Sequence, residues 1–167
     1  TLWSNDLFKQ GGDPLPVYRQ PTPDPERPYT LTCGKTVPYC HSQGRQLDGL
    51  RRRQPVPVAE LAPDVAAETG IQATTAPDAE SGVRGGGPMA IGTATGEFHC
   101  QAEINAKLAA GTVWAQYGWW HPVDAINYNA AMDGECFDGV AGSNALRGVT
   151  CWVKRREPNP ITVSSPQ

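Results

Sequence analysis

Proline and glycine interrupt this chain so often that it has little room for long helices. Its 167 residues include 18 glycines and 16 prolines. Proline removes a backbone donor, and glycine weakens regular structure. Residues 11–16 (GGDPLP) and 21–25 (PTPDP) can sustain neither a helix nor a central strand. The distribution predicts short strands joined by turns, with a linker before residue 29.

Composition narrows the class of protein. The apolar fraction of 39% is typical of a globular chain with a core. A net charge of −3 argues against a nucleic-acid surface as the main role, and no apolar run is long enough to span a bilayer.

The five cysteines do not form a metal motif. They include no Cys-x-x-Cys pair, so neither a zinc ribbon nor an iron–sulfur motif is present. Cys33, Cys40 and His41 could be imagined as metal ligands, but small buried thiols plus a loop cysteine are favoured.

Residues 29–45 (YTLTCGKTVPYCHSQGR) join a short β-prone run to a dense group of polar side chains. The run breaks at Gly34, and Pro38 prevents a helix directly beyond it. A strand that ends in glycine exposes backbone N–H groups that no ladder uses, and Lys35 and Arg45 add positive charge. Such a loop suits an anionic ligand that carries phosphates. An ordinary solvated loop is the alternative that this stretch alone leaves open.

Further along the chain, hydrophobic patterning predicts several short elements. Residues 56–61 form a strand near an edge, and residues 62–70 form a helix with proline at its start and glycine at its end. Residues 74–87 are predicted to be a surface turn. Residues 88–105 form a hairpin, residues 112–116 a strand, and residues 149–153 a closing strand.

Two further stretches carry candidate ligand groups. Trp119 and Trp120 stand beside a glycine at a strand end, where an indole could stack on a purine or pterin while the other tryptophan packs in the core. Asn127 and Asn129 each offer a donor and an acceptor, which suits the edge of a heterocycle.

Taken together, these motifs resemble the C-terminal molybdopterin dinucleotide-binding domain of the molybdopterin oxidoreductases, the dimethyl sulfoxide reductase family. The likeness covers nearly the whole chain through four motifs in the right order: residues 13–18 (DPLPVY), residues 29–45, the Gly-Trp-Trp of residues 118–120, and Leu-Arg-Gly-x-x-Cys at residues 146–151. Within that family, the forms of these motifs resemble most those of thiosulfate or polysulfide reductases and acetylene hydratase-like members.

The resemblance implies a mainly β fold, a six-stranded double-psi β-barrel with a few short helices. It implies a lead-in segment and linker over residues 1–28, the barrel over residues 29–156 and a tail over residues 157–167. The implied cofactor is molybdopterin guanine dinucleotide, in its bis form with molybdenum or tungsten held elsewhere in the enzyme. The implied cofactor-binding residues are Thr32, Cys33, Gly34, Lys35, Thr36, Tyr39, His41, Ser42, Gln43, Trp119, Trp120, Asn127, Asn129 and Arg147.

The implied function is to bind part of that cofactor, without catalysis by this chain alone, because the metal ligand lies upstream in the family. The implied partners are the remaining domains of the catalytic subunit and an iron–sulfur electron-transfer subunit. Three alternatives stay open: a free-standing small cofactor-binding subunit, a cofactor-free barrel that acts as an interaction domain, and a hydrolase that uses His41 and Ser42. The substrate and the choice between molybdenum and tungsten stay open too.

Overall fold

The computed structural model describes residues 3–15, 22–119, 127–134, 143–144 and 146–157. The helices are α1 (Asn5–Lys9), α2 (Asp48–Arg53) and α3 (Pro63–Glu68), with a 3₁₀ turn at Tyr128–Ala131. The strands are β1 (Tyr29–Gly34), β2 (Val58–Leu61), β3 (Arg84–Gly92), β4 (Glu97–Ile104), β5 (Thr112–Gln116) and β6 (Val149–Arg155).

The six strands close into a barrel in the order β1-β5-β2-β4-β3-β6. Strands β1 and β5 are parallel, as are β2 and β4, while the other four neighbouring pairs are antiparallel. Exchanging β1 with β4, β2 with β5 and β3 with β6 returns the same order and the same pair directions. The molecule therefore has the mainly β, six-stranded double-psi barrel that the resemblance implies, and this prediction is confirmed.

One hydrophobic core fills the barrel. It is built from inward-facing positions that alternate along the strands, as in β4, where Phe98, Cys100 and Ala102 are buried. The largest fully buried side chains come from five of the six strands, from α3 and from the 3₁₀ turn: Leu31, Leu61, Val65, Met89, Ile91, Val113, Tyr128 and Cys151.

The predicted helix after β2 is confirmed as α3. Pro63 occupies its first turn, where the missing N–H costs nothing, and Asp64 lies at the positive end of the helix dipole. Gly70 follows with a φ of +67°, which stops the helix. Val65 and Ala66 are buried in the core, so α3 packs its apolar face against the barrel.

Two predictions from sequence are wrong in detail. Residues 84–87 belong to β3 and not to a surface turn, and a register shift between Gly85 and Pro88 lets a proline sit within the strand. Strand β2 is not at an edge, because it pairs with β4 on one side and β5 on the other.

The basic stretch at residues 51–53 ends the short helix α2, with arginines near the negative end of its dipole. Within the described ranges, no helix is long and apolar enough to cross a bilayer.

Candidate functional site

The barrel topology brings three separated segments of the chain to one end. Because β1 and β5 are parallel, Gly34 and Gln116 lie side by side and the chain leaves both strands in the same direction. Strand β6 is antiparallel to β1, with Val149 beside Leu31, so the residues that precede β6 lie at this end as well. The topology therefore places the loop after β1 near residues 117–119, 143–144 and 146–147.

These segments line an open cleft with a volume of about 920 Å³, which we call the barrel-end cleft. Its lining is Cys33, His41, Ser42, Tyr117, Gly118, Trp119, Asn127, Asn129, Asn144, Leu146 and Arg147. A hydroxyl, an imidazole, three carboxamides and a guanidinium thus surround one space together with aromatic rings. This donor-rich chemistry suits a polar heterocyclic or phosphate-bearing ligand.

Seven of the fourteen predicted site residues line the barrel-end cleft: Cys33, His41, Ser42, Trp119, Asn127, Asn129 and Arg147. The other predicted residues that the structure describes are not part of its lining: Thr32, Gly34, Lys35, Thr36, Tyr39 and Gln43. Trp120 lies outside the described residues, so the predicted division of labour between the two tryptophans stays a prediction.

The loop after β1 is compact. Two tight turns shape it, each closed by a bridge between residues three apart, Thr36 with Tyr39 and Cys40 with Gln43. The second turn gives His41 a φ of +53°, a left-handed conformation that a residue with a side chain adopts at a cost. The same turn leaves His41 and Ser42 on the cleft surface.

Gly118 explains how this loop meets the end of β5. It has a φ of +81°, and a Cβ there would overlap the carbonyl carbon of His41. The His41 and Tyr117 rings also pack edge to face, with centroids 5.0 Å apart. We call residues 39–43 the loop wall and residues 117–119 the strand-end wall. They touch through backbone at His41 and Gly118.

Arg45 joins the two walls from behind the cleft. Its Nε donates to the carbonyl of Gly118 at 2.9 Å, and its Nη2 donates to the carbonyl of His41 at 3.1 Å. Its guanidinium carbon lies 4.2 Å from the Tyr39 ring centroid and 3.9 Å from that of Trp119. Tyr39 is therefore the residue of the loop wall on which Arg45 packs.

The 3₁₀ turn forms the floor. Tyr128 is buried, donates through its hydroxyl to the Leu146 carbonyl at 3.2 Å, and packs on Phe98 with ring centroids 5.1 Å apart. Burial raises the pKa of the Tyr128 hydroxyl well above its usual range, and the positive charge of Arg147 opposes that shift. Asn127 caps the turn by accepting from the Asn129 N–H at 3.0 Å.

Gly34 makes its close contact with the protein itself. A Cβ there would lie 2.5 Å from the indole nitrogen of Trp114. Trp114 belongs to the neighbouring strand β5, and its side chain lies over the glycine. The structure thus gives a packing reason for this glycine; a close approach to a ligand stays a prediction.

Sequence reasoning missed four lining residues: Tyr117, Gly118, Asn144 and Leu146. Gly118 and Leu146 stood within motifs already singled out, but only the contact with His41 gives Gly118 its role. Asn144 reaches the cleft only because of the way β6 pairs with β1. No local pattern in the sequence indicates that position. The sequence singled out Arg45 only as a positive charge for an anionic ligand. In the structure its guanidinium contacts backbone carbonyls and aromatic rings.

Among the described residues, no group of three or more His, Cys, Asp and Glu side chains is arranged to hold a metal ion. The four cysteines that the structure describes are free thiols, of which only Cys40 is exposed.

Comparisons with known proteins point in the same direction as the motifs. No family model matches the chain. The chain is 27% identical over an alignment 168 positions long to a dopamine dehydroxylase of Eggerthella lenta, and equally to an uncharacterized oxidoreductase of Eggerthella lenta strain DSM 2243. Each alignment covers 91% of this chain but 15% of the relative.

Acetylene hydratase from Pelobacter acetylenicus shares the fold. The TM-score is 0.74 at 22% sequence identity, and the match covers 93% of this chain and 23% of that one. These matches support a relationship to the molybdopterin oxidoreductase family that the motifs resemble. The chain spans about 15% of the length of the curated relatives, so it corresponds to one part of a larger protein in each case.

Proposed function

We propose that this chain binds part of a bis-molybdopterin guanine dinucleotide cofactor as the C-terminal domain of a molybdenum or tungsten oxidoreductase. One observation carries the proposal: the barrel-end cleft gathers residues from the resemblance's separate motifs around a single polar space. Sites of this kind commonly occupy the mouth of a β-barrel.

The chemistry of the cleft fits such a cofactor. The Arg147 guanidinium offers charged donors for a phosphate, and Ser42 adds a hydroxyl. The carboxamides of Asn127, Asn129 and Asn144 can each donate and accept, as the edges of a pterin or guanine require. A volume of about 920 Å³ suits a portion of a dinucleotide rather than a single small ion.

In this proposal the domain orients the cofactor and does not react. The metal and its pterins supply the chemistry when bound, and the metal ligand comes from another part of the enzyme. The chain's own contribution is to hold the pterin and phosphate ends through hydrogen bonds and to keep one side of the cofactor against Trp119. By itself the chain is expected to show no turnover.

The proposed partners follow from the small fraction of each relative's length to which this chain corresponds. A chain that corresponds to 15% of two curated proteins and 23% of a solved one is expected to work beside the remaining domains of a catalytic subunit. An iron–sulfur electron-transfer subunit is the second partner that we propose, from the family resemblance alone. The division into a lead-in over residues 1–28, a barrel over residues 29–156 and a tail belongs to the same proposal.

The test is to purify the protein at its native length without oxygen, denature it, and identify the released small molecules by mass spectrometry. We expect a pterin, a guanine nucleotide, and molybdenum or tungsten by elemental analysis. Release of a pterin without a guanine nucleotide would overturn the dinucleotide form. Release of neither would favour the alternative of a barrel that serves only as an interaction domain.

A further inference from the structure

We propose that Arg45 is a positioning residue that holds the loop wall and the strand-end wall of the barrel-end cleft at the separation its ligand needs. The inference rests on the proposed function, because it concerns the same cleft. It adds a residue that does not line the cleft and that the sequence singled out only for its charge.

The hydrogen bonds of Arg45 join two parts of the chain that are more than seventy residues apart in sequence. The side chain donates to the His41 carbonyl in the loop wall at 3.1 Å and to the Gly118 carbonyl in the strand-end wall at 2.9 Å. A longer contact of 3.4 Å reaches the Tyr117 carbonyl. One planar group thus ties together the backbone of both walls.

Two aromatic rings, set nearly at right angles to each other, contact the same guanidinium. Tyr39 comes from the loop wall and Trp119 from the strand-end wall, and their rings lie 5.6 Å apart at 79°. Trp119 is itself held by a hydrogen bond from its indole nitrogen to Gln116 at 2.8 Å. Tyr39 is held by its hydroxyl, which donates to the Gln54 carbonyl at 2.9 Å. Each ring is therefore anchored outside the two walls, Trp119 to the end of β5 and Tyr39 to the residue that follows α2.

The environment of Arg45 is not that of an ordinary surface arginine. Burial lowers the pKa of its guanidinium, and the nearby Tyr39 hydroxyl opposes that shift. Within the part of the chain that the structure describes, no carboxylate pairs with it, and its Nη1 atom is buried without a hydrogen-bond partner. A charge placed this way is costly to bury, and its contacts serve the walls and not an ion pair.

The arrangement explains how a loop and the end of a strand can form one surface. Of the residues that line the cleft, His41, Ser42, Tyr117, Gly118 and Trp119 belong to the two walls. Because His41 holds a positive φ angle at a cost and meets Gly118 through backbone, their contact needs an added restraint to persist. A lysine could supply charge but neither the planar fork nor the stacking faces.

The test compares Arg45→Lys with Arg52→Lys, a matched change at an exposed arginine of α2. Hydrogen exchange is followed by mass spectrometry on the native-length protein, with peptides from β2 and β4 as internal references. We expect the amides of both walls to exchange together at least about tenfold faster in Arg45→Lys, since charge-assisted hydrogen bonds to both are lost. The reference strands and the Arg52→Lys protein should be unchanged.

A second readout is the pterin retained per folded protein after gel filtration, measured by fluorescence of the oxidised pterin. We expect Arg45→Lys to retain several-fold less pterin than wild type. Unchanged exchange, faster exchange in one wall alone, or loosened walls with full pterin retention would each overturn the proposal. If wild type holds no pterin, the proposed function falls, and the exchange data alone decide whether Arg45 joins the walls.

A pair of changes at Tyr39 guards against misfolding of the arginine variant. Tyr39→Phe keeps the ring that stacks on Arg45 and removes only the hydrogen bond to Gln54. Tyr39→Leu removes both. We expect faster exchange in the strand-end wall for Tyr39→Leu and not for Tyr39→Phe; equal behaviour of the two variants would contradict the stacking role.

Discussion

Gly118 decides how closely the two walls of the barrel-end cleft approach each other. Two separate constraints favour glycine at this position. Its φ is +81°, and the backbone of His41 occupies the space that a Cβ would need. Gly111 shares the first constraint, with a φ of +69°, but a Cβ there would meet nothing within 4 Å. The two glycines therefore make a matched pair.

We predict that Gly118→Ala destabilises the protein more than Gly111→Ala does. Both changes put alanine in a left-handed conformation, which costs about 1–2 kcal/mol. Only Gly118→Ala also forces the His41 backbone to move, which adds roughly 1–3 kcal/mol. Urea unfolding of both variants measures the difference. Equal losses of stability would mean that the walls do not touch as described.

The cysteines differ enough in environment to predict their reactivity. Cys40 is exposed in the loop wall, whereas Cys100 and Cys151 are buried. Burial raises the pKa of the Cys100 thiol and raises that of Cys151 to about 12, so both stay protonated at neutral pH. Brief alkylation at pH 7.5, followed by peptide mass spectrometry, should label Cys40 alone of these three. Labelling of Cys151 before unfolding would contradict the closed barrel.

At the scale of elements, tryptophans from neighbouring strands cover glycines of the barrel wall. Trp114 of β5 lies over Gly34 of β1, and Trp152 of β6 lies over Gly92 of β3. In both cases the indole fills the space that a side chain would take. Packing thus explains why both positions are glycine. A larger residue at either one would have to displace an indole ring.

We predict that Gly34→Ala and Trp114→Ala are strongly coupled in stability. Gly34→Ala should cost about 1–3 kcal/mol because its Cβ collides with the indole. In a Trp114→Ala background the collision disappears, so the double variant should lose at least about 1 kcal/mol less than the sum of the single changes. Additive losses would show that Gly34 is glycine for another reason, such as a close approach of the ligand.

Local sequence patterns correctly predicted the elements whose formation depends on neighbouring residues in the sequence. Helix α3 has its proline, its acidic first turn and its terminal glycine in sequence, and β4 alternates apolar and polar residues. Residues 84–87 were misread because glycines indicate a turn unless a partner strand is known. In the structure Gly85 pairs with Glu103 of β4, a reason that lies outside the stretch itself.

At the scale of the whole molecule, closure of the barrel creates the site. The register that places Gly34 beside Gln116 joins strands more than eighty residues apart in sequence, and no local pattern contains that pairing. The exchange symmetry of the six strands leaves no internal repeat in the sequence. The resemblance supplied this topology, and with it seven cleft residues; Gly118, Asn144 and the role of Arg45 needed the structure.

The central claim is that a pterin cofactor occupies the barrel-end cleft. Its most direct test is the pterin retained per folded native-length protein in Arg147→Gln against Arg52→Gln, a control on exposed α2. A hydrogen bond from a charged group contributes about 1.5–3 kcal/mol, so Arg147→Gln should weaken binding roughly ten- to a hundredfold. We predict depleted pterin in Arg147→Gln and full pterin in Arg52→Gln. Equal pterin in both variants would contradict the assignment of the cleft.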